Sequence, residues 1–254
     1  MLERRPKMIR GLYNAASGMK VSLHKQNAIS NNLANINTTG YKKGINVQKA
    51  FSDQLMARMD KQVTNIGKAG RGVGVSHTAV DHSGGEYKKT GNELDWAIKG
   101  EGFFAVQTPQ GVRYTRNGDF TINNQGQIVT QDGHPVLGEQ GSLQVPPESE
   151  SITVKGNTLL ADGEEINTIQ IRDFPNKSGL AREGDSLFRW TPEAGGNFAG
   201  TGQVAQGFLE GSNVNPVQEM TKMIENSRKY QADQKMVQAH NQTLGKAVNQ
   251  VGKV

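Results

Sequence analysis

The sequence predicts an α+β fold, with N- and C-terminal α-helices forming a coiled-coil-like layer and a central antiparallel β domain between them. Three observations lead there. Ile9, Leu12, Ala16, Met19, Leu23, Gln26, Ser30 and Leu33 follow alternating steps of three and four, a heptad file that is apolar at six of its eight positions. Met223, Tyr230, Val237, Leu244 and Val251 recur every seventh residue at the other end, beside a largely polar file of Met220, Ser227, Gln234, Asn241 and Val248. The region between carries strand and turn signals instead of helical periodicity. Apolar stripes at opposite ends of one chain suit pairing with each other, or with the same segments of neighbouring copies.

The first helix is predicted from Met8 to about Asn35. Residues 1–7, MLERRPK, fall outside the periodic pattern and are expected to be a disordered extension. The helix should end within SNNLANINTTGYKK (30–43), where Asn and Thr compete for backbone hydrogen bonds and Gly40 can turn left-handed. Segments 8–40 and 41–92 then read as the helix with its terminal signature and an extended connector. The glycines of GKAGRGVGV (67–75) lack the GxxxxGK[ST] spacing of a phosphate loop and are assigned to that connector.

The β domain is expected over residues 93–210. Phe103 to Gln107 and Val112 to Thr115 flank Pro109-Gln110-Gly111, and Phe120 to Ile122 and Gln127 to Val129 flank an Asn-Asn-Gln-Gly turn, so both read as hairpins. Asp132-Gly133 and Asp162-Gly163 add tight turns, and Ile169 to Asp173 reads as a further strand. The last segment, 211–254, is a helix with a clear start. Asn215 is its N-cap, Pro216 its first helical residue, and Gln218 falls at the capping-box position.

Composition narrows the chemistry. The 254 residues include no cysteine, which excludes disulfides, thiolate metal sites and thiol nucleophiles. No apolar run reaches the roughly 20 residues of a membrane span, and an apolar signal-peptide stretch is missing, so no membrane insertion is expected. The net charge of +5 is unevenly spread: residues 1–50 carry nine Lys or Arg against Glu3 alone, residues 217–254 six against three, and the middle is acidic. Basic residues without interleaved aromatics, zinc-finger spacing or an RNA-binding sheet motif argue against nucleic acid. Solvated helix faces are the plain reading of the basic ends, and a surface meeting an anionic membrane or acidic partner subunits is the sharper one.

Catalytic and metal readings are weak. His24, His77, His82, His134 and His240 include no pair at helical i,i+4 spacing, and His77 and His82, with Asp81 between, read as an exposed polar turn. No serine sits in a G-x-S-x-G elbow, and Asp81, Glu86, Glu164 and Glu165 are not distinguished from surface charge by the sequence. Asn37-Thr38-Thr39 and Asn241-Gln242-Thr243 match the glycosylation sequon, which has no weight without a eukaryotic secretory route. The expectation is a non-enzyme with no catalytic, cofactor or metal site.

MIRGLYNAASGM (8–19) followed by SNNLANINTTGYKK resembles the N-terminal signature of the bacterial flagellar rod and hook family. QGFLEGSNVNPVQEMTKMI (206–224) resembles its C-terminal signature, and AIKGEGFFAV (97–106) and YTRNGDFTINNQGQIVTQDGHPVLG (114–138) its shared β domain. The resemblance runs from Met8 to Val251 and implies an axial subunit of the basal-body rod, of proximal or distal type. A hook-type or cap and assembly-scaffold protein is the alternative. It implies export by the flagellar apparatus, polymerisation with itself and with other rod and hook subunits, and a place in the basal body across the periplasm or cell wall. The expected assembly interface comprises Ile9, Leu12, Ala16, Met19, Leu23, Asn31, Asn32, Leu33, Asn35, Met220, Met223, Ile224, Tyr230, Val237, Leu244 and Val251, with the asparagines bonding backbone at a subunit junction or simply ending the helix.

Overall fold

A computed structural model describes residues 8–51, 54–59, 63–69, 72–146, 149, 151–184 and 186–251. The expected disordered extension lies outside them. The chain divides into two compact units, each assembled from separated stretches of sequence.

The first unit comprises the chain up to Leu33, Gly44–Ala79 and Asn215 onward. Its helices are α1 (Met8–Ala34) and α2 (Pro216–Val251). The cap forms as the sequence predicts: the Gln218 N–H donates to Asn215 Oδ1 at 3.1 Å, satisfying one of the free donors of the first turn. The described residues of 44–80, expected as a connector, include four strands instead. β1 (Gly44–Ala50) pairs with β4 (Val73–Val80), and β2 (Gln54–Met59) pairs antiparallel with β3 (Val63–Ala69). Gly67 and Gly74 thus fall within β3 and β4, where ladder bonds compensate for their backbone freedom.

The second unit comprises Ala34–Lys43 and Val80–Val214. After β5 (Tyr87–Lys89) and β6 (Trp96–Lys99), β7 (Phe103–Thr108) and β8 (Gly111–Thr115) form the first expected hairpin. β9 (Phe120–Ile122) and β10 (Ile128–Thr130) form the second, with Ile128 opposite Ile122. Short β11 (Leu137–Gly138) and β12 (Gly141–Ser142) precede a three-stranded sheet of β13 (Ile152–Lys155), β14 (Thr158–Ala161) and β15 (Glu164–Thr168). The expected Asp162-Gly163 turn joins β14 to β15, with Asp162 at φ 51° and Gly163 at φ 89°.

β16 (Ile171–Asp173), β17 (Ala181–Glu183), β18 (Leu187–Arg189) and β19 (Phe198–Ala199) join β7 and β8 in a six-stranded sheet ordered β17-β18-β8-β7-β16-β19. β20 (Gln203–Gln206) pairs with β6, and β21 (Phe208–Glu210) pairs with β5. β7 is buried on both faces, as its nearly unbroken apolar run requires. Phe104 and Val106 enter the larger core with Trp96, Phe120, Ile128 and Leu143, whereas Phe103 and Ala105 enter a smaller one with Tyr114, Phe174 and Phe188. Edge-to-face rings fix the larger core, with Trp96 5.3 Å and Phe104 5.2 Å from Phe120.

Candidate assembly interface

α1 and α2 meet antiparallel, through a face of α1 that the sequence reading does not select. A Cβ added to Gly11 would lie 2.5 Å from His240 Nε2, and one added to Gly18 would lie 2.8 Å from Asp233 Oδ2. Asn226 Nδ2 donates to the Ser22 carbonyl at 2.8 Å and to Gln26 Oε1 at 2.9 Å. At the far end Asn32 Nδ2 donates to Glu219 Oε2 at 3.3 Å. The face of α1 turned to its partner is therefore Gly11, Ala15, Gly18, Ser22, Ile29 and Asn32, offset by one residue, or roughly 100°, from the predicted file. Small side chains let the helices approach closely.

On α2 the contacting positions Glu219, Asn226, Asp233 and His240 are themselves heptad-spaced. Met223, Tyr230, Val237 and Leu244 share that face by periodicity and are half-buried. The predicted apolar file thus lies on the α1 side, but its alternating partners are polar residues one position away from those expected. Met220 and Ile224 are 47% and 56% exposed, pointing elsewhere. On α1, Leu23 is 52% exposed and Ala16 is exposed, while Leu12, Met19 and Leu33 are half-buried. The side chains of Ile9 and Val251 lie outside the described residues. A groove of about 280 Å³, lined by Ser22, Leu23, Gln26, Asn226, Ser227, Tyr230 and Gln231, opens beside exposed Leu23.

The asparagines divide. Asn32, 3% exposed, pairs with both backbone groups of one residue: its Nδ2 donates to Gly44 O at 3.0 Å and its Oδ1 accepts from Gly44 N–H at 2.9 Å, as a neighbouring strand would. Its bonding is within the chain. Asn35 ends the helix locally, its carbonyl accepting from Thr38 N–H at 3.3 Å and its Oδ1 from Thr38 Oγ1 at 3.2 Å. Asn31 is exposed.

In the second unit the remainder of the N-terminal signature is held by charge. Lys42 Nζ lies 2.5 Å from Glu210 Oε1, and Arg116 Nη1 lies 3.1 Å from Glu210 Oε2. All three side chains are buried. Lys42 Nζ also donates to the Ser83 carbonyl at 2.7 Å, Arg116 Nη2 donates to the Gly100 carbonyl at 2.8 Å, and Gly85 N–H donates to Glu210 Oε1 at 3.0 Å. Burial pushes the Lys42 ammonium below its ordinary pKa, against the opposing pull of Glu210. Gly40 adds a backbone anchor, its N–H donating to Glu210 O at 2.7 Å. It sits at φ 65°, as the sequence predicts, and leaves no room for a Cβ, which would lie 2.3 Å from Asn117 N. Tyr41 lies beneath Arg182, whose Cζ is 4.1 Å from the ring centroid.

The sequence reading missed Lys42, Arg116 and Glu210. Their types were visible inside quoted motifs, but nothing local marks a lysine as paired with a glutamate on the last strand of the unit. His82 is a correction too. It is not in an exposed polar turn: its ring packs 5.6 Å from Phe103 and 5.1 Å from Phe188, close after Val80, which itself packs against the smaller aromatic core. His77 is exposed, as expected. Among the described residues no helix is long and apolar enough to cross a membrane.

Residues 12–42 match the family described as flagella basal body rod protein, 97–158 the flagellar hook protein FlgE/F/G D1 domain, and 205–250 the flagellar basal body rod FlgEFG protein C-terminal region. The flagellar basal-body rod protein FlgG of Bacillus subtilis is 35% identical over 261 residues, covering 95% of this chain and 99% of that protein. The chain belongs to the flagellar basal-body rod family. FlgG of Agrobacterium fabrum is 35% identical, over 90% of this chain and 94% of its own, and FlgF of Caulobacter vibrioides is 34% identical, over 97% and 100%. Rod-family membership places the chain in the bacterial flagellar basal body. The buried triad draws one residue from each matched segment of this rod-family chain: Lys42 ends the first, Arg116 lies in the second and Glu210 in the third.

Proposed function

We propose that this chain is a structural axial subunit that polymerises into the helical tube of the rod and transmits torque from motor to hook. The observation that carries the reading is the helix pair of the first unit. Its inner seam takes up glycine, alanine and hydrogen-bonded polar residues beside Ile29, and other large apolar side chains stay outside: Tyr13, Leu23, Val217, Met220 and Ile224 are all between 47% and 68% exposed. Exposed apolar residues spread along two helices favour burial against other copies. In the tube these faces form a coiled-coil-like inner layer, and contacts between different faces do not close on themselves, so they propagate a filament.

The residues that meet neighbours are accordingly Leu23, Ala16, Met220 and Ile224 of the expected interface, joined by Tyr13 and Val217. Partners are copies of the same chain and other rod and hook subunits, and delivery is through the flagellar export apparatus. The subunit acts as scaffold, without catalysis, cofactor or metal, and does not insert into membrane or bind nucleic acid. The hook-type alternative shares the β segment at 97–158, but the relatives covering nearly the whole chain carry rod names. Purified basal bodies from the native organism should contain the chain in fixed stoichiometry with the other rod subunits, and deleting its gene should abolish filaments. A deletion strain that swims normally would sink the reading.

A further inference from the structure

The segment between β4 and β5 clasps the turn at residues 34–43. Asp81 Oδ2 pairs with Lys43 Nζ at 3.1 Å, the Asp81 N–H donates to the Lys43 carbonyl at 3.0 Å, and the Ser83 carbonyl accepts from Lys42 Nζ. His82 sits at the centre of this clasp, yet its two ring nitrogens are shielded from solvent and have no hydrogen-bond partner. The Lys177 backbone lies near enough to favour the charged ring weakly, but its geometry makes no hydrogen bond.

The charged groups acting on the ring come from three elements and are all cations: Lys42 from the turn, Lys177 from the short 3-10 helix Lys177–Gly179, and Arg116 from the segment after β8. Acids in the neighbourhood are already engaged. Asp81 is held by Lys43, Glu210 by Lys42 and Arg116, and Glu101 by Lys177, which also lies 3.5 Å from Asp173 Oδ1, a buried oxygen that makes no hydrogen bond. No carboxylate acts on the ring, so a proton on His82 would meet added repulsion from Lys42, Lys177 and Arg116.

We infer that His82 is an acid-sensitive release for the 34–43 turn: its protonation drives the ring into water and withdraws the Asp81 and Ser83 contacts, while the strands of the core stay closed. Burial, reinforced by the Lys42 and Lys177 charges, pushes the ring from 6.5 down to about 4 in the closed form. In the open form, exposed to water, it returns to its ordinary value of roughly 6.5. Between these values the open form binds the proton more readily, so opening is favoured as pH falls and is unaffected above about pH 7. From pH 7.5 to pH 5 the opening equilibrium should rise about 30-fold.

Hydrogen exchange on the full-length chain at both pH values tests this, with protection factors corrected for intrinsic rates. The Gly40, Asp81 and Gly85 amides should lose about 30-fold in protection, while those of Trp96, Ile128 and Val136, bonded within the core, should hold. His82→Phe and His82→Gln should each flatten the response of the turn. Protection of the turn that does not change with pH would overturn the inference on the wild-type chain alone. So would an equal loss in His82→Phe, or loss at Trp96 and Ile128 in step with Gly40, which would mean global unfolding. None of these outcomes touches the rod reading, which is decided by presence in basal bodies.

Discussion

Lys42 and Glu210 are 168 residues apart in the chain, yet their charged atoms lie 2.5 Å apart with almost no exposure to solvent. One carboxylate there serves two buried cations. Replacing it by Glu210→Gln should therefore destabilise the second unit by about 3 to 5 kcal/mol, since Lys42 and Arg116 would stay buried against a neutral amide. Urea denaturation of the full chain, followed by the fluorescence of Trp96 and Trp190, both in the second unit, measures this. The combined variant Lys42→Met, Arg116→Met, Glu210→Leu should regain most of the loss, because well-packed apolar groups can replace a buried ion cluster. A fully stable Glu210→Gln protein would show that the charges are solvated in practice.

Gly40 should tolerate no side chain. Gly40→Ala combines a left-handed backbone with a Cβ 2.3 Å from Asn117 N, and should cost at least about 2 kcal/mol. Gly133→Ala is the matched control, because φ is 82° there but nothing lies within 4 Å of the added carbon. It should cost only the conformational penalty of roughly 1 kcal/mol. Equal losses at the two positions would mean that the 34–43 turn relaxes away from Asn117.

Inner and outer faces of α1 should separate cleanly. Gly18→Leu forces a branched side chain against Asp233 and should part α1 from α2, seen as lost helical circular dichroism in the monomer. Leu23→Asp changes a half-exposed position and should leave monomer helicity within error, yet block polymerisation and motility. The assignment of faces fails if Leu23→Asp melts the monomer helices while Gly18→Leu polymerises normally.

Asn32→Ala removes both hydrogen bonds to Gly44 and the contact with Glu219. It should lower the stability of the first unit by about 2 kcal/mol, since the Gly44 groups lose partners in a partly buried site. Thermal unfolding monitored at 222 nm would detect this, and a change under a few tenths of a kcal/mol would mean that water replaces the amide.

The sequence by itself determined both helices and their limits, because caps, heptads and helix-breaking Asn, Thr and Gly act within a few residues: α1 ends at Ala34 and α2 starts at Pro216. It also determined both hairpins, where turn residues impose the reversal locally, and the left-handed Gly40. The rod and hook resemblance was legible in the motifs themselves. Tertiary structure alone decided which face of α1 meets α2. Hydrophobicity favoured Leu12, Met19 and Leu23, but close approach and polar bonding selected Gly11, Gly18 and Ser22, a choice between two stripes of one helix that periodicity does not rank. It alone also decided that Lys42, Arg116 and Glu210 are buried and His82 is packed against aromatic rings. A charged residue reads as surface until its partner is known, and partners brought together across 94 and 168 residues leave no local trace.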